Sequence, residues 1–403
     1  MVRSRTFLNR VLGQLTDQQW ERLLLALAIA LIGFALRLHL ALTGPAEWDE
    51  SVYLEAAVRY ARDIRGGSWN ELINSDYNYE HPLLNKLAYG SILALFNPDA
   101  GLDGGTMAAG TEFPGSPYYA RILSLRLFSV AFGSAAVFFL SLVNPLAGLF
   151  LAVHTYAIKY TSVIYLEALP MCLALLVVLA FVKFQQINSS RAAAGIAGVG
   201  WLVVSGALLG LAVASKYVYG LTGVAMLFFA IIQGRKNPAR LIWTLAIWGV
   251  CAGIFFFLGN PALWANPLAR LSQSLQFNVN FAQNSSTVLE SNYPFWQPLD
   301  WLAVPIPRHP LSTTPFFVSR GNFLLAVDGI FLPFVLLGLW RLVKSQPAFA
   351  WWLILGLAFL LIWNTKWPQY ILIILAPYCL AAACGVEGTI QTLSKVLSRS
   401  RAS

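Results

Sequence analysis

Charge is scarce in this sequence. Asp, Glu, Lys and Arg make up only 11% of the 403 residues against 58% hydrophobic residues, and the mean hydropathy is +0.63. A water-soluble domain of that composition would aggregate, so lipid must be the main solvent. Cysteine is sparse too. Cys172, Cys251, Cys379 and Cys384 lie in apolar runs without metal-ligand spacing, which excludes a disulfide framework and leaves them as small core or lipid-facing residues. Acidic residues number 18 against 27 basic ones, giving a net charge of +9. That excess does not imply a nucleic-acid partner, because fourteen of the Lys and Arg residues fall in short segments, both termini included, that are assigned to the cytoplasmic side, the positive-inside pattern of a membrane protein.

What remains is a series of apolar runs. A bilayer core of roughly 30 Å asks for about 20 apolar residues per helix. Spans are predicted at about 23–43, 122–143, 145–158, 162–183, 195–215, 217–233, 241–258, 322–343, 349–363 and 368–386. The fold class is therefore all-α: a polytopic integral membrane protein of about ten transmembrane helices, both termini cytoplasmic, with interfacial helices in its first extracytoplasmic loop. The polar, basic start (Arg3, Arg5, Arg10, Arg22) leads into a full-length span and reads as an uncleaved signal anchor. Residues 1–403 are expected to form one domain. Within it lie a first loop at 44–120, a second outward segment at 259–320 and a basic cytoplasmic tail at 387–403.

The acids are not spread evenly. Eleven of the eighteen fall between residues 44 and 120, more than a mere connector needs. Residues 51–65 carry Tyr53, Ala56, Ala57, Tyr60, Ala61 and Ile64 at helical spacing, with Ser51 as the expected N-cap. A second helix is expected to begin at Pro82. Polar clusters bracket the first helix: Glu47, Asp49 and Glu50 before it, and Tyr79, Glu80, His81 and Lys86 after it. Acids at a helix start commonly complement its dipole. Moving a sugar from a lipid phosphate to a hydroxyl or amine needs a base for the acceptor's proton and positive groups for the leaving phosphate. Asp49 is the expected base, with His81 and Lys86 on the phosphate.

These motifs resemble the GT-C glycosyltransferases, in particular the protein O-mannosyltransferase and aminoarabinose-transferase branch. The resemblance rests on Trp48-Asp49-Glu50-Ser51 and Tyr79-Glu80-His81-Pro82-Leu83-Leu84. It continues through Lys159-Tyr160-Thr161-Ser162 with Leu166-Glu167-Ala168-Leu169-Pro170, then Gly210-Leu211-Ala212 with Lys216, and Lys366 with Pro368 and Tyr370. It implies Asp49 as catalytic base with Glu50 shaping the pocket beside it. Tyr79 and Glu80 would border the acceptor or a metal, and Glu167, Lys216, Lys366 and Tyr370 would join the substrate-binding set. His81 replaces a Lys that contacts the lipid phosphate, and Leu83 replaces a second Pro, so Lys86 or Lys216 is the alternative source of fixed charge.

An ionisable residue in an apolar span suggests function by default, and Glu167 is one, with Arg121 or Arg126 as its alternative structural partner. Asp328 shares that ambiguity. Arg37 and His39 are expected to snorkel to the interface. No metal set has fixed spacing. Glu50, Glu80 and His81 are the residues that can bind a divalent cation, the one cofactor considered. The expected partners are a polyprenyl-phosphate-linked sugar donor, membrane lipid, and an acceptor glycan, lipid or protein. The alternative function is a transporter or lipid flippase, against which the concentration of acids in one loop speaks.

Overall fold

The computed structural model describes residues 16–75, 77–96, 119–189, 196–304 and 327–400, and all regular structure among them is helical. Arg3, Arg5, Arg10, Asp76, Arg191, Arg308, His309, Arg320 and Arg401, together with the last third of the first loop, lie outside the described residues. In chain order the α-helices are α1 (Asp17–Thr43), α2 (Trp48–Gly66), α3 (Trp69–Asn74), α4 (Leu84–Phe96), α5 (Tyr119–Val143), α6 (Pro145–Val153), α7 (Thr155–Tyr160), α8 (Ala168–Ser189) and α9 (Ile196–Ser215). They continue with α10 (Gly220–Gly234), α11 (Pro238–Leu258), α12 (Pro267–Asn284), α13 (Ser286–Ser291), α14 (Gln297–Ala303), α15 (Asp328–Ser345), α16 (Pro347–Ile362) and α17 (Leu372–Ser400).

Seven segments among the described residues are long and apolar enough to cross a bilayer, those built on α1, α5, α8, α9, α10, α11 and α17, and α16 is a shorter apolar helix. The chain is a polytopic, all-helical membrane protein. Sequence periodicity places α1, α5 and α9 to α11 within a few residues. It fails between Pro145 and Ala168. The two expected spans there are α6, a break at His154, the six-residue α7, an irregular stretch over 161–167, and only then α8. Nearly all of this stretch is buried. Apolar content runs on through it, which hides from hydropathy the loss of helical hydrogen bonding.

Backbone away from water must find partners inside the protein. Arg37 supplies several. It does not snorkel: it is fully buried and donates to the carbonyls of Leu151 and Ala152 (3.2 and 3.3 Å), to Gly33 and to the Thr161 hydroxyl (2.7 Å). The guanidinium thus holds the orphaned carbonyls at the end of α6. Gly133 on α5 makes room for it, since a β-carbon there would come within 2.9 Å of the Arg37 Nε and 2.6 Å of the Thr161 β-carbon. His39, by contrast, is exposed.

In the first loop, α2 buries Tyr53, Ala56, Ala57, Tyr60 and Ala61 as its spacing predicts. It starts a turn earlier than expected, with Glu47 rather than Ser51 at the N-cap position; Ser51 instead donates to the Trp48 carbonyl at 3.0 Å. The helix expected from Pro82 is α4, which begins at Leu84, two residues later, after the short α3. α2 and α4 pack closely at Gly90, where a β-carbon would stand 2.6 Å from that of Tyr60. The second segment contributes a helix that periodicity did not announce, α12, with Pro267 at its start and the Asn266 side chain capping the Ala269 amide at 3.4 Å.

Small residues let the closing helices touch backbone to backbone. At the crossing of α15 and α17, a β-carbon on Gly338 would run into the Ala381 carbonyl, and one on Gly385 into that of Phe334. Gly338→Ala should therefore force the two helices apart and cost about 1–3 kcal/mol, read as an earlier unfolding midpoint in nanodiscs. An unchanged midpoint would contradict this packing.

Candidate active site

The site grows from the junction of α1 and α2. Glu50 is fully buried and forms a 2.5 Å ion pair with Arg126 of α5. Each partner is saturated. Arg126 donates to both carboxylate oxygens and to the carbonyls of Ala41 (3.1 Å), Gly44 (2.8 Å) and Pro45 (2.9 Å), which are the unsatisfied end of α1 and the linker beyond it. Glu50 also accepts the amides of Ile164 (2.8 Å) and Glu47 (2.9 Å). With four hydrogen bonds on two oxygens, Glu50 has no lone pair to offer a substrate proton. It is a positioning residue that fixes the start of α2 against the irregular 161–167 stretch.

One residue back, Asp49 is different. It is half-buried and makes no hydrogen bond or ion pair with any described residue. Burial raises its pKa above the ordinary carboxylate range. The positive charges of Lys216 and Lys159 pull it back down, and Glu47 pushes it up. Glu47 is itself paired with Lys159 at 3.1 Å.

Around Asp49 the chain gathers parts from distant elements. Lys216 sits in the break between α9 and the 3-10 turn Tyr217–Tyr219, where its ammonium pairs with Glu167 and stands 5.0 Å from the Tyr370 ring centroid. Glu167 directly precedes α8, and the Tyr219 hydroxyl donates to it at 3.4 Å. Its partner is thus Lys216, not Arg121 or Arg126. Tyr53 on α2 packs its ring against Tyr165 (6.1 Å) and His81 (6.2 Å). Burial and the charges of Lys216 and Lys86 hold the His81 pKa well below its usual value. Its surroundings thus disfavour the imidazolium form and leave the neutral ring as a hydrogen-bonding group.

The remaining expected site residues are placed nearby or elsewhere. Lys86 is buried on α4, its pKa lowered to about 7 by burial, with Glu80 opposing the shift. Its three donors are used inside the protein, on the carbonyls of Asn78 (2.5 Å) and His81 (3.0 Å) and on the Asn78 side chain (3.2 Å). It clamps the 78–81 turn and has no donor left for a phosphate. Glu80 accepts from the Asn78 amide at 2.5 Å, and Asn78 takes a left-handed conformation with φ of 53°. Tyr79 turns its ring onto Phe277 of α12. Lys366 is committed to the end of α16, donating to the carbonyls of Leu360, Leu361 and Trp363 at 3.1, 3.2 and 2.6 Å. Of its motif, only Tyr370 reaches the Lys216 cluster.

Glu50, Glu80 and His81 do not form a metal-binding set. The oxygens of Glu50 are spent on Arg126 and backbone amides, and no group of three His, Cys, Asp or Glu residues converges among the described residues. Sequence reading missed the partners Arg126, Lys159 and Tyr53. An arginine within a helix as apolar as α5 was the available signal for the first.

No protein-family model and no curated protein matches the sequence. Solved structures do match. ArnT from Cupriavidus metallidurans, in a crystal structure bound to undecaprenyl phosphate, aligns with a TM-score of 0.55 at 18% identity, over 92% of this chain and 60% of its own. The archaeal oligosaccharyltransferase AglB from Archaeoglobus fulgidus, in complex with an inhibitory peptide and a dolichol-phosphate, aligns with a TM-score of 0.52 at 14% identity, over 96% of this chain and 52% of its own. Over nearly all of its length, then, this chain has a fold like that of these two proteins. The chain spans only a little over half the length of either structure.

Two outcomes follow from this geometry. Arg126→Met leaves Glu50 buried without its partner and should cost about 3–5 kcal/mol, seen as a lowered unfolding midpoint. A midpoint equal to that of the unaltered protein would remove the anchoring role. Any reaction using Asp49 as base should fail as pH falls through the raised Asp49 pKa. Because Lys216 lowers that pKa, Lys216→Gln should move the acid limb of the pH-rate profile to higher pH; a limb that stays in place or moves down contradicts the coupling.

Proposed function

We propose that this protein is a membrane glycosyltransferase that takes a sugar from a polyprenyl-phosphate carrier and passes it to an extracytoplasmic acceptor, with Asp49 as the base. The observation that carries this reading is the pairing of an uncommitted carboxylate with a lysine that has donors to spare, at the meeting point of the first loop and the helix breaks. Asp49 takes the proton of the acceptor hydroxyl or amine. The acceptor atom bonds to the anomeric carbon of the sugar as the bond from that carbon to the phosphate oxygen breaks. The polyprenyl phosphate then leaves with the bonding pair.

Lys216 is the group proposed to meet the phosphate, because its ammonium uses one donor on Glu167 and keeps the others. A neutral His81 adds a hydrogen bond without charge. Tyr370, beneath the Lys216 ammonium, keeps that side chain from collapsing away from the cleft. The carrier lipid bound by the ArnT structure and the dolichol-phosphate in the AglB complex support a lipid-phosphate donor here. Positive-inside charge supports placing both termini in the cytoplasm and Asp49 on the opposite face.

Purified protein should transfer radiolabel from at least one member of a panel of polyprenyl-phosphate sugars. Asp49→Asn should reduce transfer by about 10²–10⁴-fold while binding undecaprenyl phosphate as before. Equal transfer by both proteins would sink the base assignment. A cysteine introduced by Ser75→Cys should react with an impermeant reagent added outside intact cells; labelling only after membrane disruption reverses the proposed orientation.

A further inference from the structure

Helix α12 presents two different polar faces. Ser274 and Asn278, one turn apart, both donate to the carbonyl of Glu80, at 3.1 and 2.9 Å. They bolt the helix to the 78–81 turn. Gln273, Gln276, Asn280 and Asn284 follow one another at spacings of three, four and four residues, and all four are exposed. They line an open groove of about 420 Å³ together with Tyr79 and Phe277. The Tyr79 ring meets Phe277 edge-on at 5.6 Å, and Phe277 stacks on Phe281 at 6.0 Å and 19°.

The lining contains no charged residue. Arg270, the single charged residue of α12, reaches the Asn74 carbonyl at 3.3 Å. Four exposed carboxamides cannot face hydrocarbon without losing their hydrogen bonds to water. An anionic ligand finds no cation in the lining, and an acyl chain would bury amides without replacing their partners. A carboxamide offers both donors and acceptors, as a hydroxyl does, and aromatic rings pack on the apolar faces of pyranose rings. The groove also has a direction. Tyr79, which flanks it at Phe277, lies two residues before His81, whose ring packs against Tyr53 beside Asp49.

We propose that this groove is the acceptor subsite and that it takes an uncharged, hydroxyl-rich glycan, laid along α12 with its reactive end passing Tyr79 toward Asp49. The proposal deepens, and rests on, the reading of Asp49 as the transferase base. The donor enters from the Lys216 side and the acceptor from the α12 side, so the two substrates meet without sharing a binding surface.

The test uses the full chain in nanodiscs and saturation-transfer NMR, with neutral oligomers of N-acetylglucosamine and of mannose as probes. An oligogalacturonate and an uncharged Ser/Thr-rich peptide serve as competitors of other chemistry. A neutral oligomer should give a signal that falls roughly tenfold in Gln276→Leu/Asn280→Leu, the loss of about two neutral hydrogen bonds. Both residues are exposed, so an unchanged unfolding midpoint certifies the fold. The thermal shift produced by undecaprenyl phosphate should be the same in both proteins. Absence of neutral-glycan signal, an equal signal in the variant, or preference for the oligogalacturonate or the peptide would overturn the proposal. If glycan binding depends on the amides while undecaprenyl phosphate shifts neither protein, the groove stands and the donor reading falls.

Discussion

The buried ion pair between Glu50 and Arg126 sets the terms for the rest of the structure. Removing two charges from water is expensive, and a buried pair seldom repays it by Coulomb attraction alone. Here the pair does something a hydrophobic replacement could not. Its nine available hydrogen-bonding positions, five on the guanidinium and four on the carboxylate, are occupied by each other and by backbone groups that have no helical partner: the carbonyls of Ala41, Gly44 and Pro45, and the amides of Glu47 and Ile164. The end of α1, the start of α2 and the irregular stretch before α8 can meet in a dry interior because this pair satisfies them. Arg37 does the same one layer away for the end of α6.

That arrangement explains why neighbouring acids behave so differently. Glu50 points into the junction and is saturated, while Asp49 leaves its carboxylate uncommitted. The same distinction sorts the basic groups. Lys86 and Lys366 each use three donors on protein carbonyls or amides and work as clamps. Lys216 has one carboxylate partner and an aromatic neighbour. Counting used hydrogen-bonding capacity thus separates groups that hold the backbone from groups available to a substrate, a separation that proximity to the cleft would not have made.

Much of this was legible in the sequence, for physical reasons that differ by element. The long apolar helices declare themselves through composition, and α2 through the helical spacing of its buried Tyr and Ala residues. The stretch from Pro145 to Glu167 does not, because the backbone there is supported by Arg37 and Glu50, which lie more than a hundred residues away in sequence. The motifs containing Asp49, Glu167, Lys216 and Tyr370 led to one cluster. Two members of one spacing pattern part company in the fold: Tyr370 lies by the Lys216 ammonium, whereas Lys366, four residues earlier, closes a helix end.

The substitution of His at position 81 now has a structural setting. A lysine at that position would stand near Lys216 and Lys86, three cations in one largely buried cluster, and burial would press at least one toward neutrality. Burial, with the field of the two existing lysines, already holds the His81 pKa well below its usual value. Fixed positive charge near Asp49 is thereby concentrated on Lys216, with Lys159 tied to Glu47. For the proposed reaction this matters to the base as much as to the phosphate. Each added cation would lower the Asp49 pKa and weaken it as a proton acceptor. Burial raises that pKa while Lys216 restrains it, so under the proposed roles one lysine both sets the strength of the base and stands ready for the leaving group. In the proposed reaction, release of the phosphate would return the full charge of Lys216 to Asp49, coupling departure of the spent carrier to loss of the acquired proton.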